Sequence, residues 1–422
     1  MSKTICVIGL GYIGLPTASM FATHGYTVRG VDVNEGLLNQ VNNGESPIEE
    51  PGLNTLVRAA VLSKNLSAST KPSEADAFII CVPTPLNSST NTSDLDYVRA
   101  AAESITPYLK TNSIVVLEST SPPGTIENVL IPILEKSGLR AGTDLFVAHC
   151  PERVLPGKIL TELVENDRII GGINENSANR VKELYQSFVS GTIYLTDSTT
   201  AEMCKLIENT YRDVNIALAN ELAIISEKLG ISVWEAIELA NKHPRVNIHS
   251  PGPGVGGHCI PIDPWFIAET APDDAKLIKL SRRINDRMVE HVFHMLKEMI
   301  GVTGIISIFG AAYKGDVDDA RESPTLHLAE ILCKAGYEIR VCDPHVRRFK
   351  YKLYDIDSSI ANSDCIILMS DHKEFKSTTS DDIEGMSGKM RRKNLIDTRN
   401  CLNHELWKSA GFNVKILGNT KK

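Results

Sequence analysis

Thr4-Ile5-Cys6-Val7-Ile8-Gly9-Leu10-Gly11-Tyr12-Ile13-Gly14-Leu15 decides the fold, because an apolar, β-branched run meets a glycine turn and the turn opens a helix reading on to residue 24. Residues 27–31 then form a second strand that finishes at Asp32. Glycines at such a turn let the backbone approach a pyrophosphate at the helix N-terminus, and an acid ending the next strand grips ribose hydroxyls. A turn of this kind alone is a weak signal. Here strand, helix and acid follow in the order that dinucleotide binding requires. Asp32, with no Arg directly after it, favours NAD over NADP.

Outward from this turn, residues 77–82, 113–118 and 145–149 read as buried strands, separated by helical stretches at 95–109 and 125–136. That alternation predicts a doubly wound parallel sheet. From 201 to 229 the chain has neither Gly nor Pro, and Met203, Leu206, Ile207, Tyr211, Val214, Leu218, Leu222 and Ile225 recur at helical spacing. Residues 233–241 and 275–296 are also helical, whereas 244–264 is rich in Pro and Gly and reads as a loop. Strands return at 304–309, 338–342 and 361–369, with a helix at 324–334. The expected fold is α/β: two Rossmann-like doubly wound parallel-sheet domains joined by a long central helix and a helical domain. Its domains are 1–198, 199–300 and 301–422. The tail after Trp407 is left without a role, as a segment that can be disordered.

The 422 residues, 42% hydrophobic and 23% charged, are those of an ordinary globular chain. A net charge of -8 argues against binding nucleic acid through phosphate contacts. The nine cysteines are scattered, with no CxxC pair and no metal-ligand spacing, so a reducing, cytoplasmic setting and no metal are expected. Glycines interrupt the apolar N-terminal run, which argues against a signal peptide, and no apolar run reaches membrane-spanning length.

Three further segments carry chemistry. In Pro251-Gly-Pro-Gly-Val-Gly-Gly-His258-Cys259-Ile-Pro-Ile-Asp263, a glycine-rich loop exposes backbone N–H groups beside a cysteine flanked by His258 and Asp263. Donors aimed at the sulfur favour the reactive thiolate, although an isolated cysteine is more often a small buried hydrophobe and Asp263 can simply cap the next segment. On the long helix, Lys205, Asn209 and Arg212 are spaced by four and three and so share one face, which a solvated polar face would also produce. Lys314 and Arg321 follow the strand that opens the C-terminal domain, where basic side chains can hold phosphates.

Together these segments resemble the UDP-glucose/GDP-mannose dehydrogenase family, in order, over nearly the whole chain. Within it the nearest likeness is to the branch acting on UDP-N-acetyl-D-mannosamine, carried by Cys150-Pro-Glu-Arg-Val-Leu-Pro-Gly157, Asn209-Thr-Tyr-Arg-Asp-Val-Asn215 and His243-Pro-Arg-Val-Asn247. The resemblance implies an NAD-binding domain, a helical homodimerisation region and a UDP-binding domain. It implies four-electron oxidation of the sugar at C6 through a thioester on Cys259, for surface polysaccharide synthesis. Lys205, Asn209 and Asp263 would surround the reacting oxygen; either Lys205 or a water held by Asp263 would be the base. Thr120 would position water and Glu152 would serve in thioester hydrolysis.

Gly9, Gly11, Tyr12, Ile13, Gly14, Asp32, Pro83, Thr84, Thr120 and Arg321 would line the cofactor site. Glu152, Arg153, Lys205, Asn209, Arg212, His258 and Lys314 would bind the sugar nucleotide, and Arg245 would reach the neighbouring subunit's substrate. UDP-glucose enzymes of the family carry a second Glu four residues after the first, where this chain has Pro156. UDP-N-acetylglucosamine and UDP-glucose stay open as substrates. A single-step 3-hydroxyacid dehydrogenase would need no cysteine loop and no third domain. A non-catalytic sugar-nucleotide sensor would not need Lys205, Asn209, Cys259 and Asp263 together.

Overall fold

The computed structural model describes residues 3–87 and 89–421. It divides into two compact units, Met1–Glu208 with Trp265–Pro272, and Asn209–Pro264 with Asp273–Lys422.

The first unit holds an eight-stranded sheet in the order Ile193–Asp197, Arg168–Gly172, Phe146–His149, Ile114–Leu117, Ala77–Ile80, Thr4–Ile8, Thr27–Val31, Leu66–Ser69. All neighbours pair parallel except Phe146–His149 with Arg168–Gly172, so the last two strands on that edge run against the rest. Helices cover both faces, which is why the central strands are apolar at every position. Along Thr4–Ile8, Ile5 and Val7 join the core that holds Leu15, Phe21 and Tyr185. Cys6 and Ile8 join the opposite core with Phe78 and Val115.

In the second unit six parallel strands run in the order Leu353–Tyr354, Glu338–Cys342, Ile305–Phe309, Cys365–Leu368, Asn394–Asp397, Asn413–Ile416. The long helix Ser198–Leu229 enters this unit at Asn209 and is followed by Val233–Ala240 and Lys276–Ile300. Ala219 and Ala223 on the long helix pack with Val233, Met288, Val292 and Ile306 in one core. Beneath it, Asp213 accepts from Arg282 Nη1 at 2.5 Å, and Asn285 Nδ2 donates to Asp213 Oδ1 at 2.8 Å.

Residues 408–421 are ordered, unlike the tail that the sequence allows to be disordered. Asn413–Ile416 forms the sheet edge, Val233 N donates to Gly418 O at 2.8 Å, and Trp234 Nε1 donates to Leu417 O at 2.7 Å. These hydrogen bonds tie the backbone down in a way that a weakly apolar, short strand does not announce. Among the described residues, no helix is long and apolar enough to cross a membrane.

Candidate active site

The glycine turn sits between the strand Thr4–Ile8 and the helix Gly14–Thr23. Gly14 lies so close to the turn that a Cβ there would stand 1.8 Å from Gly9 O, whereas a Cβ on Gly11 would meet nothing within 4 Å. The outer edge of the turn, with exposed Gly11 and Tyr12 and half-buried Ile13, is therefore open to a phosphate group. Asp32 Oδ2 accepts from Leu10 N at 2.9 Å and Oδ1 from Asn34 N at 2.9 Å, which fixes the carboxylate and leaves lone pairs for ribose hydroxyls. These residues fit NAD.

Two neighbouring loops are tied to one another. Thr84 Oγ1 donates to Thr120 O at 2.6 Å and Ser119 Oγ to Val82 O at 2.7 Å, so Pro83, Thr84 and Thr120 are brought together. The loop beyond Thr120 is pinned by Glu202, fully buried, whose carboxylate accepts from Gly124 N at 2.5 Å and Ile126 N at 2.8 Å. Burial pushes the Glu202 carboxyl up to about 7 against the pull of those two backbone donors. Glu202 stands one turn before half-buried Lys205 on the long helix. Its role is absent from the sequence reading, where only a polar residue within a helix was visible. Glu152 is buried, Arg168 Nη2 donates to its Oε2 at 3.1 Å, and Arg153 N donates to its Oε1 at 2.6 Å. The Arg153 guanidinium pairs with Glu208 at 2.7 Å.

The second unit holds the cysteine. Cys259 is exposed at the head of a turn in which Ile262 N and Asp263 N donate to its carbonyl at 3.0 and 2.9 Å, and Asp263 opens the helix Asp263–Thr270. By contrast, Cys6, Cys150 and Cys342 are buried, and burial pushes their thiols up to about 11, 12 and 12. The loop before Cys259 is braced where only glycine fits: Gly257 has φ +90° and its Cβ would lie 3.1 Å from the Tyr313 ring. At its start, Gly252 N donates to Asn220 Oδ1 at 2.8 Å.

Asn209 and Asp263 meet directly, Nδ2 to Oδ2 at 2.5 Å, with both side chains buried. Arg212 donates to Asn209 Oδ1. Thus the acid at the start of one helix and the amide on another are held together, with the Arg212 charge at the outer end. Arg321 donates to Asp319 through Nε at 2.9 Å and Nη2 at 2.7 Å, and its carbonyl accepts from Gly257 N at 3.2 Å. Desolvation, then the Arg321 charge, pushes the His258 imidazole below its ordinary range. Lys314 and Arg245 are exposed.

The first turn defines the class: an oxidoreductase with NAD as its cofactor. Comparison with known proteins narrows it. Residues 3–189 match the NAD binding domain, 199–287 the central domain and 307–404 the UDP binding domain of the UDP-glucose/GDP-mannose dehydrogenase family, and the chain belongs to that family. It is 54% identical over 424 residues to a UDP-N-acetyl-D-mannosamine dehydrogenase of Methanococcus vannielii, a match covering 99% of this chain and 97% of that one. It is 43% identical over 412 residues to an NDP-N-acetyl-D-galactosaminuronic acid dehydrogenase of Ralstonia solanacearum, covering 94% and 96%. Among solved structures, the UDP-D-ManNAc dehydrogenase of Pyrococcus horikoshii superposes with a TM-score of 0.92 at 43% identity, covering 99% of this chain and 100% of that one.

Proposed function

We propose that this enzyme oxidises UDP-N-acetyl-D-mannosamine at C6 to UDP-N-acetyl-D-mannosaminuronate, in the cytoplasm, for surface polysaccharide synthesis. The observation carrying the chemistry is an exposed cysteine, Cys259, four residues before the buried Asn209–Asp263 pair's carboxylate. The sugar is supported by the activity for which a relative at 54% identity is named, and Pro156 counts against a UDP-glucose substrate. Three parts divide the work: cofactor binding in 1–198, dimerisation in 199–300 and UDP-sugar binding in 301–422. Tyr211, Leu218 and Ile225, exposed at seven-residue spacing on the long helix, support a homodimer in which Arg245 completes the partner's site.

Two NAD molecules, bound in succession along Gly9 to Gly14 and Asp32, would each supply the acceptor for one hydride from C6. The chain's own groups do the rest. A base, either Lys205 or a water held by Asp263, takes the C6 hydroxyl proton and leaves an aldehyde after the first oxidation. The Cys259 sulfur adds to the aldehyde carbon, giving a thiohemiacetal whose oxyanion Lys205 and Asn209 stabilise, each contributing about 3 kcal/mol. The second oxidation yields a thioester. Water oriented by Thr120 and Glu152 releases the carboxylate and returns the sulfur to Cys259. Lys314, Arg153, Arg212 and His258 hold the sugar nucleotide, and Arg321 the cofactor phosphates.

Purified UDP-sugars assayed side by side should give two NADH per UDP-N-acetyl-D-mannosamine and far less with UDP-glucose. Cys259→Ser should lose at least ~10⁴-fold in acid production while still binding the UDP-sugar in calorimetry. Undiminished acid production by that variant would end the covalent reading.

A further inference from the structure

Two buried charges of the first unit, Arg168 and Glu118, take no part in the steps above. Arg168, at the start of its strand, is 5% exposed. Its guanidinium lies 3.1 Å from Glu152 Oε2, 3.7 Å from Glu118 Oε1 and 3.6 Å from Cys150 Sγ, and 4.9 Å above the centre of the Tyr185 ring. Glu118, 2% exposed, accepts from Tyr185 Oη at 2.5 Å, Cys81 Sγ at 3.1 Å and Thr17 Oγ1 at 3.3 Å. Two carboxylates therefore share one guanidinium away from water. Burial, then the Glu152 charge, pushes the Glu118 carboxyl up, against the opposing pull of the Arg168 charge and the Tyr185 and Cys81 donors. For stability alone, apolar residues of similar volume would serve such a site as well or better. Arg168 on Oε2 and the backbone N–H of Arg153 on Oε1 instead fix one group, the Glu152 carboxylate, through both of its oxygens.

We propose that Arg168 is a positioning residue for thioester hydrolysis, its guanidinium setting the orientation in which Glu152 receives a proton from the attacking water. The proposal rests on the reading of Glu152 given above. In that step the water oxygen bonds to the acyl carbon and one water proton passes to Glu152. The C–S bond breaks with its electron pair returning to Cys259, and the acid formed ionises by losing the second proton. Glu118, held by Tyr185, Cys81 and Thr17, keeps Arg168 in place.

Rapid mixing of the whole enzyme with UDP-N-acetyl-D-mannosamine and excess NAD tests this by following NADH and the intact-protein mass. Arg168→Met should release two NADH per site at the wild-type rate and then turn over ~10²-fold more slowly, with a sugar-acyl adduct on the protein. Arg168→Lys should recover at least part of the steady rate, and Glu152→Gln should accumulate the same adduct. If Arg168→Met does not fold, Glu118→Gln should show the same burst followed by a smaller, ~10-fold slowing. Burst and steady rate falling together without an adduct in the Arg168 or Glu118 variants, while Glu152→Gln accumulates one, overturns the role of Arg168 alone. Absence of the adduct from a normally turning-over Glu152→Gln overturns the role of Glu152 and this inference with it.

Discussion

The two units open their sheets alike and end them differently. In the first, Asp32 follows the second strand and accepts one backbone N–H on each oxygen, beside a turn that passes into a helix at Gly14. In the second, the equivalent Asp343 takes Ala311 N, Ala312 N and His372 Nε2 on Oδ2, and His345 N and Val346 N on Oδ1. Ala312 stands where the first turn has Gly11, and the next helix waits until Pro324. The same topology thus yields an acid with capacity to spare for ribose in one unit and a saturated structural acid in the other. The freed loop, 310–323, carries Lys314 and Arg321 instead and braces Gly257 through Tyr313. A doubly wound sheet provides the place for a ligand; the turn chemistry decides which ligand.

The largest effect that can break this contrast is on Asp343. Burial opposes its charge, but the His372 hydrogen bond and the backbone donors outweigh it and hold the carboxyl well below the usual range. The sign follows: a depressed carboxyl adds stability present above about pH 4 and lost as pH falls further. Asp343→Asn should cost about 3 kcal/mol near pH 7 in denaturant unfolding, shrink that acid-side loss, and leave NAD affinity unchanged. A drop in NAD affinity with stability intact would refute the assignment.

A smaller and opposite effect is expected at the first turn. Asp32→Ala should weaken NAD binding by ~10- to 100-fold in fluorescence titration, with unfolding within about 0.5 kcal/mol of wild type. Gly11→Ala should fold normally yet also bind NAD more weakly, since its methyl enters only the open edge of the turn.

The smallest effect sharpens the comparison with a third carboxylate. Glu202 is buried like Asp343 but has fewer donors, and its carboxyl is raised to about 7. An acid raised on folding binds its proton more tightly when native, so its contribution declines as pH climbs from about 4.5 to 7. Glu202→Gln should flatten that slope by about 1 kcal/mol, measured as unfolding midpoints at pH 5 and pH 7.5. An unchanged slope would show that Glu202 is ionised throughout.

Much of the fold is legible in residue order. Residues 5–8, Ala77–Ile80 and Ile114–Leu117 are wholly apolar because both faces are covered, and the long helix shows its apolar stripe without a single breaker. The strands absent from that reading lack the signal. Ile193–Asp197 lies on an edge and is only partly buried, Arg168–Gly172 begins with a charge, and Asn394–Asp397 has polar residues at both ends. The glycine turn with Asp32 and the cysteine loop are contiguous or nearly so, hence visible. The Asn209–Asp263 bond joins residues 54 positions apart, and Arg168 reaches Glu152 from a strand no periodicity marks.

Residue order alone therefore determined the alternation of strands and helices, the dinucleotide turn and the reactive-looking cysteine, because each is written in neighbouring residues through backbone sterics and apolar period. Tertiary structure decided which acids are saturated and which stay available, because a carboxylate's remaining lone pairs depend on donors that distant segments bring to it. Asp32 and Asp343 end equivalent strands, and only the folded chain tells them apart.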